Sequence, residues 1–490
     1  MKTCLRTVAA AFLSVLFVEQ AIAQALRFSN HRDVAIPDYA TVRIGPFYST
    51  VKFSQSAGYR WTRTRGAGTD FLFNNERGRI KKDGSEFPLI SRLDFRNYLI
   101  ISRNADVDVS ISAVYAYYPL DTQEDELDVN LIEEGITANL STAFRLNPYL
   151  VGTLYDRFSY RTDYIDTRGW SDEFGGSEYE RLENTVGVDL DWLLARNKNL
   201  GASLFRTDVI PQDDEFEDQE RVTYGEGLIY QQEILPGLIA GAGTTFYQND
   251  YKSSEREDTD IQDYSFFLNF SRDAAGRLRL TRATSVSLAA GYARGAVAGR
   301  RRDPTREEVE EREEEPETIT GSVELETLMR RDLTQTIRYG RAMRTGFSSN
   351  FEVTDTYRYE LDWRGDLVSA RAYSQLTEVD PSNRDETDYS DWTSGLTVTY
   401  PLVNRPYITL NASTRYSVRD NSARGITVVT EPEQENDYET WDSRIGTSFG
   451  IARDISFTTY VQHIERFSDY EDLQYERDIF AAYFTYSHQF

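Results

Sequence analysis

From residue 47 onward, apolar and polar side chains alternate with a period of two. Across residues 106–118, Val107, Val109, Ile111, Ala113, Tyr115 and Tyr117 fall on one face. Asp106, Asp108, Ser110 and Ser112 fall on the other. Residues 184–192 set Val186, Val188, Leu190 and Trp192 against Thr185, Gly187, Asp189 and Asp191. Residues 391–402 repeat the pattern, with Trp392, Leu396, Val398, Tyr400 and Leu402 opposed by Thr393, Gly395, Thr397 and Thr399. Successive side chains of a strand point to opposite faces, so this is the signature of strands with one apolar side. A helical period is absent, apart from a turn or two that (i, i+4) Glu–Arg pairs would support in the run REEVEEREEEPE at 306–317.

The segments between strands are of two kinds, and they alternate. Short ones lie at 103–106, 146–148, 196–199, 235–237, 329–332, 364–366, 404–406 and 452–454. Long, polar and mostly acidic ones lie near 119–130, 162–178, 209–219, 252–260, 297–316, 379–388, 420–435 and 467–474. Short turns at one end and long loops at the other predict a closed antiparallel transmembrane β-barrel, an all-β fold with periplasmic turns and acidic external loops. A soluble β-sandwich also alternates apolar and polar positions. The strict rhythm, the strand length and the aromatic residues near strand ends favour the barrel. Counting from a first strand at 47–64 to a last at 475–490 predicts about twenty strands, within a range of about 18 to 22. A hairpin within 69–87 would change the count, and 272–284 is long for a periplasmic turn.

The N-terminal 23 residues carry Lys2 and Arg6, then an apolar run from Val8 to Val18, then Ala21-Ile22-Ala23. That order predicts a secretory signal peptide over residues 1–23, and the apolar run is too short to span a bilayer as a helix. Residues 24–46 would form a periplasmic arm or a cap at the barrel mouth, too short for a plug domain. The barrel would then occupy 47–490. Cys4, the one cysteine, lies in the signal, so disulfides and cysteine metal sites are excluded from the mature chain.

Composition narrows the partners. There are 54 Lys and Arg against 80 Asp and Glu, a net charge of −26, which argues against nucleic acid. With 32 Tyr and 26 Phe, the chain is not disordered either.

Giving the apolar parity to lipid leaves the other parity to the lumen. The candidate pore-lining residues are then Asp94, Arg96, Asp106, Asp108, Asp189, Asp191, Glu324, Glu326, Arg358, Glu360, Asp362 and Arg371. They would either set up transverse fields that select polar or ionic solutes, or pair across strands and stabilise a wet interior. The acidic run 306–317 would be a solvated external loop, able to constrict the pore or to gather divalent cations among surface lipopolysaccharide, and the acids of 121–128 could bind Ca²⁺. Neither carries the spacing of a calcium loop. His31, His463 and His488 are the only histidines, and no motif places one beside a nucleophile. The sequence predicts no catalytic, cofactor or metal site, and so no enzyme.

The segment RIGPF (43–47), followed by SAGYRWT (56–62) and by later Asn-Pro and Arg-Asp turns, resembles the opening and hairpins of a family of outer-membrane β-barrel porins. Members of that family are often encoded near exopolysaccharide or protein-sorting loci in Gram-negative bacteria. The resemblance implies location in the bacterial outer membrane and barrel architecture, without functional residues to carry over. The closing stretch AAYFTYSHQF sets Phe484, Tyr486 and Phe490 on one parity and resembles the signal by which the barrel assembly machinery recognises its clients. Outer-membrane lipid and lipopolysaccharide would be the other partners. The leading expectation is passive passage of small polar solutes. The second is a non-conducting or partner-gated barrel serving export or assembly of surface polysaccharide or protein.

Overall fold

A computed structural model of the chain describes residues 41–65, 83–117, 136–165, 177–212, 217, 219–235, 237–253, 258–270, 283–298, 316–345, 351–365, 367–381, 389–404, 407–420, 438–452, 454–468 and 474–489. The described chain is almost entirely strand. It begins with β1 (Val42–Ile44), β2 (Phe47–Arg65), β3 (Asp83–Glu86), β4 (Leu89–Ser102) and β5 (Ala105–Tyr117). Next come β6 (Ile136–Asn147), β7 (Leu150–Ile165), β8 (Ser177–Ala195), β9 (Lys198–Pro211), β10 (Arg221–Leu235) and β11 (Leu238–Tyr251). They are followed by β12 (Asp258–Phe270), β13 (Thr284–Ala298), β14 (Glu317–Arg330), β15 (Leu333–Arg344) and β16 (Glu352–Arg364). The last are β17 (Ser369–Pro381), β18 (Tyr389–Asn404), β19 (Tyr407–Asp420), β20 (Tyr438–Ala452), β21 (Ile455–Ser468) and β22 (Tyr475–Gln489).

Each strand pairs antiparallel with the next, and β22 pairs with β2, so the sheet has no free lateral edge. The wall has 20 strands, the number read from the sequence. Two short strands complete it. β3 continues the line of β4 on the same side of β2, and the break falls at Phe87-Pro88, where proline has no N–H to give the ladder. The Pro88 carbonyl still accepts from Gly58 N at 2.9 Å. β1 pairs with Phe47–Ser49 of β2 on the edge that β22 leaves at Lys52. It reaches that edge through a tight turn at Gly45, whose φ of 61° suits a residue without Cβ.

Antiparallel partners share a face, so the parity of one strand propagates around the wall. Register shifts occur only near the short turns, and parity therefore holds through the membrane span. The outward face is apolar: Leu140, Leu204, Leu228, Phe266, Val323, Leu396, Ile445 and Val461 are all exposed. Trp61, Trp192, Trp363, Trp392 and Trp441, all the tryptophans among the described residues, point outward at the rims of this band. On β18 the band runs from Trp392 to Leu402. At a strand tilt of about 40° this is roughly 25 Å, the height of a bilayer's apolar layer. Beyond the aromatic rim on the long-loop side, outward charges pair: Arg206 with Asp208 at 2.7 Å, Arg341 with Asp355 at 2.9 Å, Arg65 with Glu476 at 3.7 Å. Charges become affordable there because lipid headgroups replace hydrocarbon.

Twenty strands spaced about 4.8 Å and tilted about 40° give a backbone diameter of roughly 40 Å, and side chains leave roughly 25 Å between them. Inward aromatic rings lie over glycines of the next strand. Phe267 Cζ is 2.2 Å from where a Cβ on Gly241 would stand, and Tyr483 Cδ1 is 2.3 Å from the same point on Gly58. Only glycine admits so close a ring.

Three features differ from the sequence reading. Residues 83–86 of the suspected hairpin are the far arm of the first hairpin, paired to β2. Residues 42–44, at the end of the segment expected to be a periplasmic arm or cap, form a strand. A further long connection joins β15 to β16, which alternation alone did not reveal. Residues 1–40, with the signal peptide and His31, lie outside the described residues, as do 121–128, 306–315 and Phe490.

Candidate functional site

All twelve candidate charges stand on the parity opposite the exposed apolar side chains, in three groups. On β4 and β5, Asp94 accepts from Ser112 Oγ at 2.7 Å and lies 3.2 Å from Arg92 Nε. Arg96 holds Asp108 at 3.1 Å, and Asp106 receives Arg145 of β6 at 2.5 Å. On β14–β17, Glu324 pairs with Arg338 at 3.1 Å. Glu360 is held from two sides, by Arg358 at 2.9 Å and Arg371 at 2.7 Å, while Asp362 takes Arg364 at 2.7 Å. Arg358 also donates to Gln375 at 3.1 Å and lies 5.2 Å from the Tyr373 ring centre. Glu326 faces Thr336 across the ladder. The third group is Asp189 and Asp191 of β8, opposite Thr153 and Val151.

Most of these charges therefore have partners on the wall itself. Arg92, Arg145, Arg338 and Arg364 were not among the sequence candidates, although they share parity with those that were. Their signal was the alternation itself.

Toward the long-loop end the inward side chains pack closely. Arg419 lies 4.1 Å from the Tyr389 ring centre, and Arg466 lies 3.7 Å from that of Tyr438; all four residues are buried. Arg344 Nε meets Glu352 Oε2 at 3.3 Å, with side-chain exposures of 6% and 0%. The chain leaving β15 turns inward. Asn249 of β11 donates to Thr345 Oγ1 at 3.0 Å across the intervening strands. Phe351, 1% exposed, clusters with Ile261, Ala293 and Met343 and covers Gly295. Thr345 and Phe351 thus pack inward at the long-loop end of this sector.

The described histidines face outward. His463 Nδ1 lies 2.8 Å from Asp478 Oδ1, and His488 Nδ1 lies 2.8 Å from Asp454 Oδ2. His463, Glu476 and Asp478 bring one ligand atom each within 4.8 Å of one another, a set that could hold a divalent cation. Arg65 stands 3.7 Å from Glu476 and 3.9 Å from Asp478, so a fixed cation already sits against both carboxylates.

The chain matches no protein-family model. It matches no curated protein sequence. Among solved structures it is similar to the copper transporter OprC, with 12% identity over 91% of this chain and 81% of that one and a TM-score of 0.50. It also aligns with Pseudomonas aeruginosa OpdQ, at 10% identity over 90% and 98% of the two chains, TM-score 0.39. A third is the siderophore receptor PirA from Pseudomonas aeruginosa, at 10% identity over 89% and 80%, TM-score 0.43. What is shared at such identities is the fold, a closed antiparallel β-barrel. A closed barrel with an apolar, aromatic-rimmed exterior belongs in lipid, since only closure satisfies the backbone there. The chain resides in the bacterial outer membrane.

Proposed function

We propose that this barrel is a porin-like channel that passes small polar solutes passively. The observation that supports the reading is the inward face, polar and charged on strand after strand, enclosed by an exterior that is apolar at the same levels. A barrel wide enough to leave roughly 25 Å between facing side chains cannot be filled by them alone. Water therefore occupies the interior, and the ion pairs on the wall hold their geometry in contact with it. Groups of both signs at fixed positions act on a passing solute over short distances, as charged rings do in other pores.

The inward packing of Thr345 and Phe351, at the two ends of the β15–β16 connection, favours a second reading, a partner-gated barrel for export or assembly of surface material. Purified protein in planar bilayers separates the two. Ohmic current at low voltage is expected for the channel, and silence at every voltage would sink it and leave the gated barrel. In either reading the lipid-facing Phe484 and Tyr486 on β22 serve recognition by the assembly machinery, with Phe490 completing the element. Outward charge pairs beyond the aromatic rim suit lipopolysaccharide headgroups.

A further inference from the structure

We infer that the lumen carries a basic strip along one wall and that the channel prefers anionic solutes, carboxylates or phosphates, although the whole chain is acidic. The inference rests on the channel reading and deepens it. Six consecutive strands of the wall, β19 to β22 with β2 and β4 across the seam, form the strip. Their registers put Lys52, Arg60, Arg92, Arg96, Arg415 and Arg444 on the inward parity. Among the described side chains of these strands, the only inward carboxylates are Asp94 and Asp442. Elsewhere the wall is different: β8 alone sets Glu183, Asp189 and Asp191 inward against Arg181.

The strip is accessible. Lys52, Arg92, Arg96 and Arg444 are exposed. Arg444 lies over the Tyr460 ring at 3.5 Å, a contact that orients the guanidinium without neutralising it. At the periplasmic end the strip opens into a shallow, open cavity of about 300 Å³ lined by Thr50, Lys52, Asp94, Arg96, Ser110 and Ser112 together with the apolar Phe95 and Ile111. Arg96 there holds Asp108 and Ser112 donates to Asp94, so Lys52 with the hydroxyls of Thr50 and Ser110 supplies the donors that a carboxylate or phosphate group would take.

The overall charge of −26 does not oppose this. Much of the acid excess lies in the segments joining strands at the long-loop end, such as 306–317 and 431–435. Charges in water at the mouth are screened within about 8 Å at physiological salt. Fixed charges along a lumen with low-dielectric walls act where the field is focused, on the solute itself.

The test is the reversal potential of the whole protein in planar bilayers under a potassium chloride gradient. Chloride is expected to be preferred by about threefold or more, with citrate added to one side reducing the current. The double variant Arg415→Glu with Arg444→Glu is expected to lose the preference or invert it. A milder pair, Arg415→Gln with Arg444→Gln, covers the case in which the first does not assemble, as judged by heat-modifiable migration in gels. Potassium preference in the natural protein, or a preference for chloride that neither pair moves, overturns the inference while leaving the channel intact. Absence of any current instead removes the channel reading. Calorimetry of citrate with the folded barrel in detergent then decides the strip, and no binding overturns it.

Discussion

The ring of Tyr483, on β22, lies against Gly58, on β2, at the line where the two ends of the sheet meet. The residues are directly paired, and the ring comes within 2.3 Å of the place a Cβ on Gly58 would occupy. Tyr483 also stacks on Tyr460 of β21, with ring centres 6.4 Å apart, so it cannot move aside without disturbing that pair. Gly58→Ala is expected to destabilise the folded barrel by about 1–3 kcal/mol through overpacking. Urea unfolding in lipid vesicles measures this. Adding Tyr483→Ala should recover part of the loss, and a cycle without coupling would show that the ring does not read the glycine.

Arg344 and Glu352 form an ion pair enclosed on both sides, with side-chain exposures of 6% and 0%. Arg344→Met alone would leave Glu352 buried beside an apolar neighbour, at an expected cost of about 3–5 kcal/mol. Replacing both, with Glu352→Leu as the second change, should cost less than either single change. Unfolding free energies of the three variants in the same vesicles give the comparison.

Depth in the bilayer can be checked on one strand. Leu396 sits mid-band on β18 and Leu402 near the short-turn rim, both exposed. Leu396→Arg is expected to cost about 2–4 kcal/mol, and Leu402→Arg about 0–1 kcal/mol. Equal costs would mean that the apolar band is misplaced along the barrel axis.

Thr345 and Phe351, at the two ends of the β15–β16 connection, pack inward against Asn249 and Gly295. Phe351→Ala removes packing of the order of 3–5 kcal/mol, the contact that seats this ring on Gly295. Single-channel recordings of Phe351→Ala with Thr345→Val should show larger and noisier current steps than the natural protein. Unchanged steps would mean that this segment does not limit flow.

The strands and the two faces were legible because strand side chains repeat every two residues, so Val107 to Tyr115 could be assigned to lipid before any register was known. The count of twenty followed from the alternation of short and long connections. Pairings were not legible. Asp106 reaches Arg145, nearly forty positions away, because β5 and β6 lie side by side in one register, and no local pattern encodes that. Arg92 and Arg338 were legible by the same two-residue rule, since both share the parity of neighbours such as Asp94 and Glu324. The inward packing of Thr345 and Phe351 was hidden altogether, because what they meet is Asn249 and Gly295, on strands well before them in sequence.

At the seam, Ser56 Oγ and Thr485 Oγ1 share a hydrogen bond of 2.8 Å although 429 positions separate them. Bringing two such points together costs a chain about 5 kcal/mol of entropy by loop-length scaling. Every other rung of the ladder joins neighbours in sequence and can form early, so the join between first and last strands is the slow, terminal event of folding. Until then β2 has a bare edge of N–H and C=O groups, open to any strand that arrives first, including one from another copy. Damage at this join should therefore show as aggregated precursor that never became a barrel, and seldom as a finished barrel that leaks.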